Sequence, residues 1–193
     1  MDNYPEHLAS ESDEGGAVKT PFEEWWSRVG THFPHVPENV ARHWLHEHWG
    51  HSPYEYLPSK DYRFELVQWP SEKLLEVRST WCDFKEDNSQ CQEHGSYLIE
   101  EVLKEYRYKT ALYMLEHGDF PAPIIILDNR DGHLSQRDLP PAYILIEGHR
   151  RFNMSLHLHS TERLKPCVDV WLMERDQPLR STQPAASPHP ACR

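Results

Sequence analysis

Gly148-His149-Arg150-Arg151 follows directly on an apolar run, Tyr143-Ile144-Leu145-Ile146, and its carboxylate Glu147. Glycine lets the backbone turn sharply and lets a ligand approach it closely. Arginine presents a planar, permanently charged fork that grips phosphate through paired hydrogen bonds. A helix starting here would aim its unpaired N–H groups and the positive end of its dipole at the same point. The chemistry suited to this combination is capture of a phosphate or another small anion. The competing reading is a tight turn whose arginines pair with surface acids. Glu147 is either a metal-holding carboxylate or, as is more usual at a strand end, the partner of an arginine.

The other clusters with chemical potential are weaker. His43, His46, His48 and His51 are closely spaced. On a helix His43 and His46 share a face and His48 turns away, whereas zinc needs three or four converging ligands. They are read as surface and packing histidines, and no metal ligand set is assigned. His157 and His159 face alike only on a strand.

The whole chain limits what this chemistry can serve. It has 193 residues and a formal net charge of -11. That length supports one ordinary domain with a core. The charge disfavours non-specific nucleic-acid binding, although a local basic pocket can exist in an acidic whole. No apolar run approaches the roughly 20 residues that span a membrane. The start, Met1-Asp2-Asn3-Tyr4-Pro5-Glu6, lacks the layout of a signal peptide. A soluble, cytoplasmic protein is expected. Cys82, Cys91, Cys167 and Cys192 are scattered, so reduced thiols are expected rather than a disulfide or zinc framework.

The elements that must position the glycine–arginine stretch read as follows. Residues 1–19 are acidic and resemble a disordered tail, and residues 176–193 a flexible Pro-rich one. Residues 20–61 form a helical, Trp-rich extension. Its first helix starts at Thr20-Pro21, buries Phe22, Trp25, Trp26 and Val29, and ends at Gly30. Its second opens at Pro37, places Val40, Trp44, Leu45 and His48 on one face, and closes at Trp49-Gly50. Core packing is the preferred role for Trp25, Trp26, Trp44 and Trp49, with a protein-partner surface as the alternative.

Residues 62–175 form the main domain. Strands are expected at Tyr62–Trp69, Ile124–Leu127, Tyr143–Ile146 and Val168–Met173, with a short helix or turn at Glu72–Arg78. The stretch from Asp83 to Gly95 reads as a polar loop. One long helix then starts with Ser96 as N-cap, runs through Leu98, Val102, Leu112 and Leu115, and stops at Gly118. The segment after Gly148 is ambiguous. Phe152, Met154, Leu156 and Leu158 alternate with polar residues, which narrowly favours a strand, yet spacings of four also fit a helix with a broad buried face.

This order of elements resembles the ParB/sulfiredoxin-like superfamily. There the phosphate motif, Gly-Glu-Arg-Arg or Gly-Cys-His-Arg, lies between a strand and a helix. Gly148-His149-Arg150-Arg151 takes that place, flanked by Pro123-Ile124 and by Lys165-Pro166-Cys167-Val168, and the likeness covers about residues 62 to 173. The resemblance implies an α/β (α+β) fold, a small mixed sheet with packed helices, here carrying the N-terminal helical extension. It turns the reading after Gly148 from strand to helix. It implies a nucleoside triphosphate, ATP or CTP, with Mg²⁺, held by Gly148, His149, Arg150 and Arg151. Lys109 and Tyr113 on the long helix would face the base, though an ordinary solvated face is the stronger reading there.

The departures narrow the activity. His149 stands where a sulfiredoxin has its cysteine nucleophile, so that repair reaction has no nucleophile. The Glu-Asn-Leu block of ParB nucleotide binding is absent, and no helix-turn-helix follows. In serine-kinase relatives a glutamate base follows the first strand; Arg78 falls on that place, with Glu72 and Glu76 nearby. The expected function is nucleotide or phosphate binding. If catalytic, it would be phosphoryl transfer or NTP hydrolysis, with Glu76 as base and Arg150 and Arg151 stabilising charge. The alternatives are a non-catalytic protein-interaction or regulatory module and a ParB-like nuclease. Fold does not choose among them.

Overall fold

The structure is a computed structural model, and it describes residues 6–14, 17–48, 52–54, 57 and 62–175. The expected Pro-rich tail, the closing Trp49-Gly50 and His51 lie outside the described residues. The chain divides into two compact units, with the boundary between Phe64 and Glu65 and the second unit running to Met173.

The first unit is helical. Helix α1 (Phe22–Val29) starts after Pro21, carries Glu23 and Glu24 in its first turn, and buries Phe22, Trp25 and Val29. Trp26 stays half-buried, stacked on Phe22. Helix α2 (Glu38–Val40) continues as a π-helical segment, Ala41–His46, which buries Trp44, Leu45 and His46. His48, expected on the same buried face as Trp44, lies past the end of the π-helical segment and is exposed. Trp25 and Trp44 are core residues. Part of the acidic N-terminal stretch is ordered: residues Glu6–Leu8 form a 3-10 turn, and the Leu8 carbonyl accepts from Trp25 Nε1 at 2.8 Å.

The second unit is built on a mixed five-stranded sheet, so the protein is of the α+β type. Its strands are β1 (Tyr62–Pro70), β2 (Val77–Arg78), β3 (Ile124–Asp128), β4 (Tyr143–Glu147) and β5 (Cys167–Arg175). Their order is β1-β5-β3-β4-β2. Strand β3 runs antiparallel to β4, pairing Ile126 with Leu145, and parallel to β5, pairing Ile124 with Val170. Strand β2 joins β4 in parallel, with Val77 opposite Tyr143. Ile124 through Leu127 and Tyr143 through Ile146 are buried on both faces, as expected of central strands that read as continuous apolar runs.

Four helices accompany the sheet: α3 (Ser89–Tyr97), α4 (Leu103–Glu105), α5 (Lys109–His117) and α6 (His149–Ser160). A π-helical segment, Leu98–Val102, joins α3 to α4. This overturns two expectations. The polar stretch 83–95 is not all loop, because Asp87 caps a helix there: its carboxylate accepts from the backbone N–H and hydroxyl of Ser89, both at 2.9 Å. The single long helix is broken at Tyr106, whose backbone is extended. Gly118 ends α5 as expected, with φ 61° and its N–H donating to the Met114 carbonyl.

The cysteine expectation is also overturned. Cys82 and Cys91 form a disulfide, and none of the described cysteines is a free thiol. Cys91 lies nine positions after Cys82. The chain folds back between them, so their separation in sequence concealed a pairing that the fold makes close. Among the described residues no helix is long and apolar enough to cross a membrane.

Residues 149–160 are helical. Helix α6 buries Phe152, Asn153, Met154, Ser155, Leu156 and Leu158. Phe152, Met154, Leu156 and Leu158 all belong to one apolar cluster with Ile124, Leu145 and Val168 from the sheet and Cys91 and Leu98 from the opposing helical layer. A helix enclosed on two sides buries more than one stripe, and that is why its pattern imitates a strand.

Candidate functional site

Gly148 has φ 94°, a left-handed conformation that side-chain-bearing residues rarely adopt. A Cβ there would stand 2.6 Å from Ile124 Cγ2. The glycine therefore lets β4 turn straight into α6 while the turn packs on β3. No side chain caps the start of α6. Its first N–H groups keep their capacity for an acceptor, and the dipole places positive potential at the same end.

The three basic residues that follow have different surroundings. Arg150 is exposed and makes no hydrogen bond or ion pair among the described residues. Arg151 turns inward. Its side chain is 12% exposed, its guanidinium donates to the Ala122 and Pro123 carbonyls, and it lies 3.8 Å from Glu147 Oε1. Those contacts make Arg151 a tie between α6 and the approach to β3, and Glu147 is an arginine's partner. His149 is engaged as well: its ring stacks on Trp81 with centroids 5.1 Å apart, and Nε2 lies 3.3 Å from Thr80 Oγ1.

Arg150 opens onto a cavity of about 510 Å³. Trp81, His94, Leu98, Val102, Tyr106, Arg107 and Tyr108 complete its lining. Trp81 and Tyr106 are large apolar surfaces left 46% and 66% exposed. A 3-10 turn, Thr80–Cys82, presents Trp81, and the disulfide fastens that turn to α3, which carries His94. Tyr106, Arg107 and Tyr108 come from the break between α4 and α5. Burial first, and then the charge of Arg150, hold the His94 pKa below its ordinary value of 6.5. The ring is neutral at pH 7.

Gly148, His149, Arg150 and Arg151 thus come together at one turn, but only Arg150 of the four lines the cavity. Lys109 is exposed in the first turn of α5, and its predecessor Tyr108 faces the cavity instead. Glu76 ends the 3-10 helix Ser71–Glu76 and is not among the residues that line the cavity. Glu72 is exposed on the same helix, and Arg78 donates to the Leu75 and Val77 carbonyls. Sequence reasoning missed Trp81, His94 and the run Tyr106-Arg107-Tyr108. That run carried a readable signal, two aromatics around an arginine next to a helix start. Trp81 and His94 carried none.

A nucleotide fits this donor set: arginines for phosphate, exposed rings for a base, and a volume within the range of small-molecule sites. A magnesium ion fits it poorly, because the eight lining residues offer no carboxylate. Among known proteins, no family, no curated protein and no solved structure matches this chain.

Proposed function

We propose that the protein binds a nucleotide, or a similar organic phosphate, in the cavity between Trp81, Tyr106, Arg107 and Arg150, as a member of the ParB/sulfiredoxin-like superfamily. The observation that carries this reading is Arg150. It is an arginine without a partner among the described residues, in the uncapped first turn of a 12-residue helix, opening onto a cavity with exposed aromatic walls. In an acidic chain an exposed arginine ordinarily finds a carboxylate. Here it faces a second arginine, Arg107, and three aromatic side chains across the same space.

The roles follow from side-chain chemistry. Arg150 and Arg107 take the phosphate oxygens, each charge-assisted hydrogen bond contributing about 1.5–3 kcal/mol. The positive end of α6 adds to that attraction. Trp81 and Tyr106 offer ring faces for a base, with stacking on the order of 1–3 kcal/mol. Gly148 sets the turn, and Arg151 and His149 fix the helix and the Trp81 ring in place. The order strand, glycine, helix supports the family likeness. The reading is one of binding, since Glu76 is not among the cavity's lining residues.

The test is thermal unfolding of the full chain with ATP, CTP or GTP, each with and without Mg²⁺. A ligand that binds only the folded state raises the midpoint by mass action. A rise that Arg150→Ala removes is the expected result. No shift with any nucleotide, in either protein, would sink the proposal.

A further inference from the structure

Gly95 lets α3 lie directly on α6: a Cβ at Gly95 would stand 2.0 Å from the Asn153 carbonyl oxygen. This approach brings the Asn153 side chain to His94, with Asn153 Nδ2 2.9 Å from His94 Nδ1. Asn153 is 1% exposed, and its Oδ1 is buried with no hydrogen-bond partner. An asparagine kept in the core for one hydrogen bond, with its other polar atom unsatisfied, is a net loss to folding. The one bond it makes there orients the His94 ring.

An amide NH₂ only donates, so Nδ1 of His94 must accept and the ring proton resides on Nε2. Nε2 has no hydrogen-bond partner among the described residues. The ring lies between Trp81, 5.4 Å away, and Tyr97, 6.4 Å away. Arg150 stands one turn before Asn153 on α6, and both it and His94 line the cavity. Burial and then the Arg150 charge lower the His94 pKa, which favours an unprotonated Nδ1 able to accept from Asn153.

We propose that His94, fixed as its Nε2–H tautomer by Asn153, is a specificity-determining residue of the cavity: it donates to an acceptor atom on the base of a bound nucleotide, while the arginines hold the phosphates. Asn153 is a positioning residue that acts through His94. This inference rests on the nucleotide-binding reading above.

The experiment compares ATP with inorganic tripolyphosphate by calorimetry on the full chain. His94→Phe keeps a ring and removes the donor. It is expected to weaken ATP about tenfold, the loss of one hydrogen bond to a ligand, and to leave tripolyphosphate unchanged. His94→Gln restores a donor near the Nε2 position and is expected to recover most of the ATP affinity. Nitrogen-15 NMR of the wild-type imidazole reads the tautomer directly: a protonated Nε2 and an unprotonated Nδ1 support the assignment. It does not depend on any variant folding. An unprotonated Nε2 overturns it. So does an equal loss for both probes, or ATP binding that His94→Phe leaves intact, and either result leaves the pocket reading standing. Failure of the wild-type chain to bind ATP, CTP, GTP or tripolyphosphate overturns both.

Discussion

Gly95 on α3 and Asn153 on α6 meet backbone to backbone, so closely that the space at Gly95 holds a hydrogen and nothing larger. Gly95→Ala sets two effects against each other. Alanine gains up to about 1 kcal/mol of helix propensity over glycine. A Cβ 2.0 Å from a backbone carbonyl oxygen forces the helices apart, and overpacking of that kind costs about 3 kcal/mol. The clash wins. Urea unfolding should show a net loss of about 2 kcal/mol, and a neutral or stabilised variant would mean that the helices do not cross here.

Arg150 and Arg151 are neighbours whose substitutions should act on different properties. Arg151→Ala leaves the Ala122 and Pro123 carbonyls and Glu147 without this guanidinium. The expected loss of stability is about 2–3 kcal/mol. Arg150→Ala removes an exposed side chain that pairs with nothing described, so stability should stay within about 0.5 kcal/mol while nucleotide binding is lost. Parallel denaturation and calorimetry on both variants would check this. Equal destabilisation by the two substitutions would count against the assignment.

His94 gives the pH dependence a definite sign. Burial, and then Arg150, lower its pKa from 6.5. Below that pH the unfolded chain takes up a proton that the folded chain resists. The stability associated with neutral His94 is fully present above 6.5 and is lost as pH falls toward the folded value. Arg150, the charged group that acts on the ring, shifts it in the same direction as burial does. Urea midpoints at about pH 7.5 and about pH 5.5 should therefore fall more in the wild-type chain than in His94→Gln. Identical falls would show that His94 is not the group responsible.

The Cys82–Cys91 bond closes a short loop that carries Trp81's turn onto α3. Loop-closure entropy for a separation of nine residues corresponds to about 2–3 kcal/mol. The double variant Cys82→Ala/Cys91→Ala should lose about that much, and nucleotide affinity should fall with it because the turn holding Trp81 is released. Unfolding curves of the two proteins without reductant, paired with ATP titrations, would read both effects. A variant as stable as the wild-type chain would refute the contribution.

Much of this molecule is legible from local pattern. The apolar runs at 124–127 and 143–146 are read as strands because they are short, rich in isoleucine and bounded by prolines and polar turns. Pro21 and Gly118 mark helix ends through their backbone restrictions alone. Gly148 marks the turn from β4 into α6 through the left-handed backbone that only glycine adopts freely. Other features depended on partners far away in sequence. Helix α3 has little apolar periodicity of its own, and its buried residues are Cys91 and Gly95, fixed by a disulfide and by contact with α6. Helix α6 alternates like a strand because two layers enclose it.

Residue-level sterics, burial and charge suffice for the central strands, the turn at Gly148 and the acidic balance of the whole, but not for the helix after Gly148, whose own pattern alternates like a strand. Tertiary structure alone decided which of two adjacent arginines lines the cavity. Both have the same chemistry, and the choice turns on angular phase around α6: one step carries Arg151 onto the Ala122 carbonyl and leaves Arg150 opposite Trp81 and Arg107. It also decided that His94, unremarkable in a polar stretch, would meet Asn153 in the core. Contacts between residues 59 positions apart exist only once the helices have packed.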